Sequence, residues 1–128
     1  MKIELDTISR DQYRIESYSN DTVVINGTGY SSSLIISPKK LVTGWQVSAF
    51  TDLAAQHIDT ITELEPEIII LGTGKKVRFP DPQIIAGIFS RDIGFEVMDT
   101  GAACRCYNLL VSEDRRVAAG LIIGGESE

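Results

Sequence analysis

At 128 residues the chain has the length of one domain, enough to bury a core without disulfides or a structural metal. A hydrophobic fraction of 43% and a charged fraction of 23% are those of a soluble globular chain rather than a disordered or membrane-embedded one. The formal net charge of −6 argues against nucleic acid as a partner, because sequence-independent binding to phosphates draws on an excess of Lys and Arg.

No apolar run approaches the roughly 20 residues that cross a bilayer, and the opening Met1-Lys2-Ile3-Glu4-Leu5 lacks the apolar stretch of a secretory signal. We therefore expect no membrane insertion and a cytoplasmic location. A disulfide between Cys104 and Cys106 would be strained in any regular backbone, so two reduced thiols are expected.

The first half carries short β signals at residues 13–18, 22–26, 33–37 and 41–46, each rich in β-branched or aromatic residues. Ser19-Asn20-Asp21, Asn26-Gly27-Thr28-Gly29 and Pro38-Lys39-Lys40 separate them with residue types that turns require. This half reads as an antiparallel meander, with Asn26-Gly27 supplying the positive φ of a tight hairpin. Thr51 offers a cap for a helix running to about Leu64, with Leu53, His57, Ile61 and Leu64 at helical spacing and Pro66 as its end.

From Glu67 onward strands and helices alternate. Ile68-Ile69-Ile70-Leu71 suits a strand covered on both faces, closed by Gly72-Thr73-Gly74. Asp81-Pro82 starts a helix with Ile84, Ile85, Ile88 and Phe89 inward and Gly94 as its stop. Residues 95–98 form a short strand, Thr100 caps a helix to about Glu113, and residues 117–123 form a last buried strand. Such a series predicts parallel strands joined by right-handed crossovers in a sheet layered with helices, within one domain.

Two stretches hold candidate chemistry. On a helical wheel Arg105, Asn108 and Ser112 form one polar stripe, Cys104 borders it, and Cys106 points into the core with Ala102, Ala103, Tyr107, Leu109, Leu110 and Val111. Cys104 lies in the first turn, where the helix dipole and Arg105 favour a thiolate, but the lone His57 sits in a distant amphipathic helix and offers no evident base. Both cysteines read first as small hydrophobes, and no metal-ligand spacing is present.

The second stretch, Gly72-Thr73-Gly74-Lys75-Lys76-Val77-Arg78, joins glycine N–H groups to three cations that can hold a phosphate or carboxylate, although it matches no dinucleotide or P-loop pattern. If the two strands before these stretches are parallel neighbours, Gly72, Gly74 and Lys75 face Asp99, Thr100, Cys104, Arg105 and Asn108 across one crevice at the carboxyl edge of the sheet. The alternative is a turn that needs positive φ at its glycines and an Arg105 that pairs with Asp99 or a loop carbonyl.

The combination Glu67-Ile-Ile-Ile-Leu-Gly-Thr-Gly74, Gly94-Phe-Glu-Val-Met-Asp-Thr-Gly-Ala-Ala-Cys-Arg-Cys-Tyr-Asn108 and Arg115-Arg-Val-Ala-Ala-Gly120 resembles a small family of domains. That family includes the mitochondrial NADH-dehydrogenase (complex I) assembly factor 3 and an adipogenesis-associated protein. The resemblance implies a three-layer α/β fold built on a mixed β-sheet, with an added N-terminal antiparallel β layer. It carries no catalytic mechanism.

The leading expectation is thus a non-catalytic binding or assembly-type module that recognises a protein or a small anionic ligand, without cofactor, as a monomer or weak homo-oligomer. A link to respiratory-complex assembly is implied by resemblance alone. The rival is a binder or enzyme acting on a small anionic metabolite in the crevice, with Arg105 as anchor and Cys104 or Asp99 as reactive group.

Overall fold

The computed structural model describes residues 12–19 and 21–124. Its strands are β1 (Ile15–Ser19), β2 (Thr22–Ile25), β3 (Thr28–Tyr30), β4 (Leu34–Ile36), β5 (Leu41–Val42), β6 (Ile68–Gly72), β7 (Gly94–Met98) and β8 (Val117–Leu121). Its helices are α1 (Ala55–Thr62), α2 (Pro82–Phe89) and α3 (Thr100–Ser112), with a 3-10 turn at Phe50–Asp52.

The central sheet has the order β5-β4-β8-β6-β7, with β8, β6 and β7 parallel and β4 antiparallel to both β5 and β8. Strand alternation divides the core between its faces. Leu34, Ile36, Ile70, Val117, Ala119 and Leu121 point to one face, where they meet Ala103, Tyr107 and Val111 of α3 and Val23 and Ile25 of the N-terminal sheet. Ile35, Ile69, Leu71 and Ala118 point to the other, against Ile58 and Ile61 of α1 and Ile88 of α2. The three-layer α/β fold, its mixed sheet and the added antiparallel layer are therefore as expected.

The N-terminal meander is smaller than the sequence suggests. β1, β2 and β3 form their own antiparallel sheet, while β4 and β5 leave it for the central one. Asn26 (φ 46°) and Gly27 (φ 89°) do make the tight hairpin, but Thr28 and Gly29 belong to β3, paired with Ile25 and Val24. Segment 41–46 is a two-residue strand, because Gly44 (φ 74°) turns the chain so that Trp45 packs under α1.

Helix boundaries also differ. Asp52 accepts from the backbone N–H of Ser48 and Ala49, closing a 3-10 turn around Thr51. The helix therefore starts only after Ala54, whose N–H is taken up by His57 Nδ1 at 2.9 Å. It ends at Thr62, ahead of Pro66, with Glu65 (φ 56°) reversing the chain.

Asp81 caps α2 as expected, accepting from Gln83, but Phe89 faces outward and only Ile88 is fully buried. Asp92 (φ 61°) makes the turn assigned to Gly94, which instead opens β7 opposite Ile68.

Candidate functional site

β6 and β7 are parallel neighbours, so the loop after Gly72 and the start of α3 do meet at the carboxyl edge of the sheet. They meet in direct contact. Thr73 donates its backbone N–H to Met98 O, Thr100 N–H donates to Gly74 O, and Gly74 N–H donates to Thr100 Oγ1 at 2.8 Å. Thr100 is fully buried, and its hydroxyl passes its own proton to Ile122 O at 2.8 Å.

One hydroxyl thus ties the glycine loop, α3 and the exit of β8 together. The cap expected of Thr100 belongs to Asp99, whose Oδ1 accepts from Ala102 N–H at 2.8 Å. Gly72 is part of the same joint: a Cβ there would lie 3.0 Å from both Ala103 Cβ and Thr100 Cα, so only glycine lets helix and strand approach this closely.

The remaining candidates separate around this joint. Lys75 reaches away to Asp21 in the β1–β2 connection, an exposed pair at 3.8 Å. Cys104, Arg105 and Asn108 line a groove of about 140 Å³ between α3 and β1, together with Tyr18 and Gly101. Asn108 is engaged there by the β1 backbone, accepting from Ile15 N–H at 3.0 Å and donating to Ile15 O at 2.6 Å. Arg105 is exposed at the rim.

The two cysteines exchange the roles the wheel assigned them. Cys104 is 4% exposed and packs in the core, whereas Cys106 is only half-buried; Leu109, placed inward by the wheel, is exposed. The wheel has no way to represent the N-terminal sheet, which covers the flank of α3 that carries Cys104. Burial pushes the Cys104 thiol up to about 12, outweighing the nearby Arg105 guanidinium, with Asp99 adding to the rise. Burial likewise raises the Tyr18 phenol, with Asp21, Cys104 and Asp99 contributing.

His57 lies on α1 across the central sheet, edge-on to Trp45, whose Nε1–H donates to His57 O at 3.2 Å. It cannot serve Cys104 as a base. No group of three or more metal-ligating side chains occurs among the described residues. No described helix is long and apolar enough to cross a membrane.

In the loop after β6 the sequence pointed to the glycines and cations but not to Thr73 as the anchor or to Phe79. Thr73 is buried and donates its hydroxyl proton to Lys76 O, and the same oxygen accepts from Arg78 N–H at 3.1 Å, fixing the turn. Beyond it Val77 is 48% and Phe79 70% exposed, flanked by Lys75, Lys76 and Arg78. The available signal was Phe79 itself, an aromatic residue in a basic segment with neither strand nor helix periodicity.

Fold and edge together define a three-layer α/β protein whose glycine loop is locked to a helix start. Residues 15–122 match the family described as "Protein of unknown function (DUF498/DUF598)", and the chain belongs to that family. It is 36% identical over 110 residues to NADH dehydrogenase [ubiquinone] 1 alpha subcomplex assembly factor 3 of Xenopus tropicalis, covering 84% of this chain and 60% of that protein. It is 31% identical over 108 residues to a 13 kDa major membrane protein of Francisella tularensis, covering 84% of this chain and 88% of that one. A crystal structure of a Bordetella parapertussis protein superposes with a TM-score of 0.83 at 28% identity, over 88% of this chain and 96% of that one. The resemblance to assembly factor 3 read from the sequence is thus borne out, and the chain spans about three-fifths of the length of that relative.

Proposed function

We propose that this chain is a non-catalytic, protein-binding module of the assembly-factor type, acting in the cytoplasm on a respiratory-complex subunit or a similar client. The observation that carries this reading is the 36% identity to assembly factor 3 over 84% of the chain. Geometry is in keeping with it: the polar atoms of Gly74, Thr100 and Asn108 are occupied in holding the fold. Two free thiols suit a reducing compartment.

The metabolite reading retains one supporting observation, the exposed Arg105 beside Gly101 and Asp99 at the α3–β1 groove. A thermal-shift screen of anionic metabolites and nucleotides on wild type and Arg105→Ala separates the two. The module reading predicts that no compound stabilises the wild type, while affinity capture with cross-linking returns one protein reproducibly. A compound that raises the wild-type Tm but not that of the variant overturns it.

A further inference from the structure

The geometry points to loop 75–80 as the surface that takes the partner, and to an acidic protein segment bearing a large apolar side chain as what it takes; this rests on the module reading above. The loop is rigidly built. Thr73 holds it from inside, Pro80 is buried at its end, and Thr100 clamps Gly74 at its start. Displaying Phe79 at 70% and Val77 at 48% exposure on such a frame costs little ordering on association, and aromatic residues dominate binding energies. Beside the loop a cleft of about 580 Å³ runs along Phe50, Leu53, Pro80 and Ile84, wide enough for an apolar side chain; Arg78 covers the Phe50 ring at 6.0 Å.

Charge selects the occupant. On a chain of net charge −6, Lys75, Lys76 and Arg78 lie within four positions. Among the described residues Asp21 pairs with Lys75 at 3.8 Å, and Asp81, whose Oδ1 accepts from Gln83 N–H, lines the cleft; Arg78 is itself engaged, so Lys75 and Lys76 are the cations the loop offers. The exposed Lys76 carries no such pairing with either. A second copy in two-fold symmetry would set these cations against themselves. An extended anionic bilayer would meet the net negative charge of the whole protein, whereas a short acidic segment engages only the loop within a Debye length of about 8 Å. Acidic residues flanking an apolar anchor satisfy both features.

The test pans a random dodecamer phage library on the intact protein, then measures the winning peptide, fluorescein-labelled, against wild type, Phe79→Ser, Lys76→Glu and Phe89→Ser. Phe89 is also exposed but lies at the far end of α2, so it controls for general stickiness. Expected are winners with Asp or Glu around an aromatic or aliphatic residue, affinity falling at least about tenfold in the Phe79 and Lys76 variants, unchanged in Phe89→Ser, and weakening with salt. The inference is overturned by absence of enrichment, by winners without acidic residues, or by equal binding to Phe79→Ser. Sedimentation with phosphatidylserine vesicles that Phe79→Ser abolishes would replace the protein segment with a membrane. Should loop variants still retain the protein captured by cross-linking, the loop assignment fails while the module reading stands.

Discussion

Thr100 is a buried polar joint whose single side-chain oxygen serves two backbone groups, Gly74 N–H and Ile122 C=O. Thr100→Val keeps the shape and removes both bonds, leaving Gly74 N–H and Ile122 C=O unsatisfied. We expect a loss of about 1–3 kcal/mol, read as a lower urea midpoint at unchanged m-value. Gly120 is constrained by space instead: a Cβ would sit 2.7 Å from Trp45 Cη2 and 2.9 Å from Ile61 Cδ1. Gly120→Ala should therefore destabilise by about 1–3 kcal/mol and perturb Trp45 fluorescence.

Cys104 makes a prediction with a definite pH window. Its folded value of about 12 lies above the ordinary 9.0, so the native state keeps a proton that the unfolded chain releases. The stability this contributes is complete below pH 9 and is lost as pH rises toward 12. Urea midpoints measured across that range should fall with pH, and less steeply in Cys104→Ala. Tyr18 and Tyr107, also raised by burial, contribute to the remainder. At neutral pH Cys104 should react with iodoacetamide at least about tenfold slower than a model-peptide thiol and slower than Cys106. Labelling at the peptide rate would contradict its burial.

At the level of elements, the contact between α3 and β1 joins the N-terminal sheet to the rest of the molecule. Asn108 brackets Ile15 with two hydrogen bonds, and the Tyr107 hydroxyl donates to Tyr13 O at 2.8 Å. Asn108→Ala should cost about 1–3 kcal/mol. Amide exchange in β1, β2 and β3 should accelerate while β6 and β8 stay protected. Uniform acceleration would mean that the small sheet is not held through this residue.

Periodicity made these elements legible to different degrees. The β6 run, the Asp81-Pro82 start and the Asn26-Gly27 hairpin were readable because each depends on local backbone preference. The start of α1 was not, since Asp52 takes the Ser48 and Ala49 N–H groups to close a 3-10 turn, and His57 Nδ1 takes the Ala54 N–H that a Thr51 cap would have used. Phe89 and Leu109 followed the helical wheel but lie where no other element covers them.

Across the whole molecule, one core lies on each face of the central sheet, and β6 and β8 contribute to both. We propose that these shared strands make the chain one cooperative domain. Calorimetry should then give a single transition with equal calorimetric and van't Hoff enthalpies, and a separate early transition for the N-terminal sheet would refute this.

From the amino-acid order alone came the alternation of strands and helices and the meeting of Gly74 with Thr100 at one sheet edge, given parallel neighbours β6 and β7, whereas Lys75, Cys104, Arg105 and Asn108, expected at the same crevice, turn elsewhere. Alternation and edge placement follow from local propensity and from the chirality of crossover connections, which act within a few dozen residues, while the family was legible in the matching motifs. What that meeting amounts to was set by packing between distant segments. Whether Gly74 and Thr100 flank an open crevice or bond each other, whether Cys104 or Cys106 is buried, and whether Phe79 is covered all depend on which distant segment packs alongside. Each such contact is settled by the competition between burying apolar surface and satisfying backbone polar groups across the entire fold.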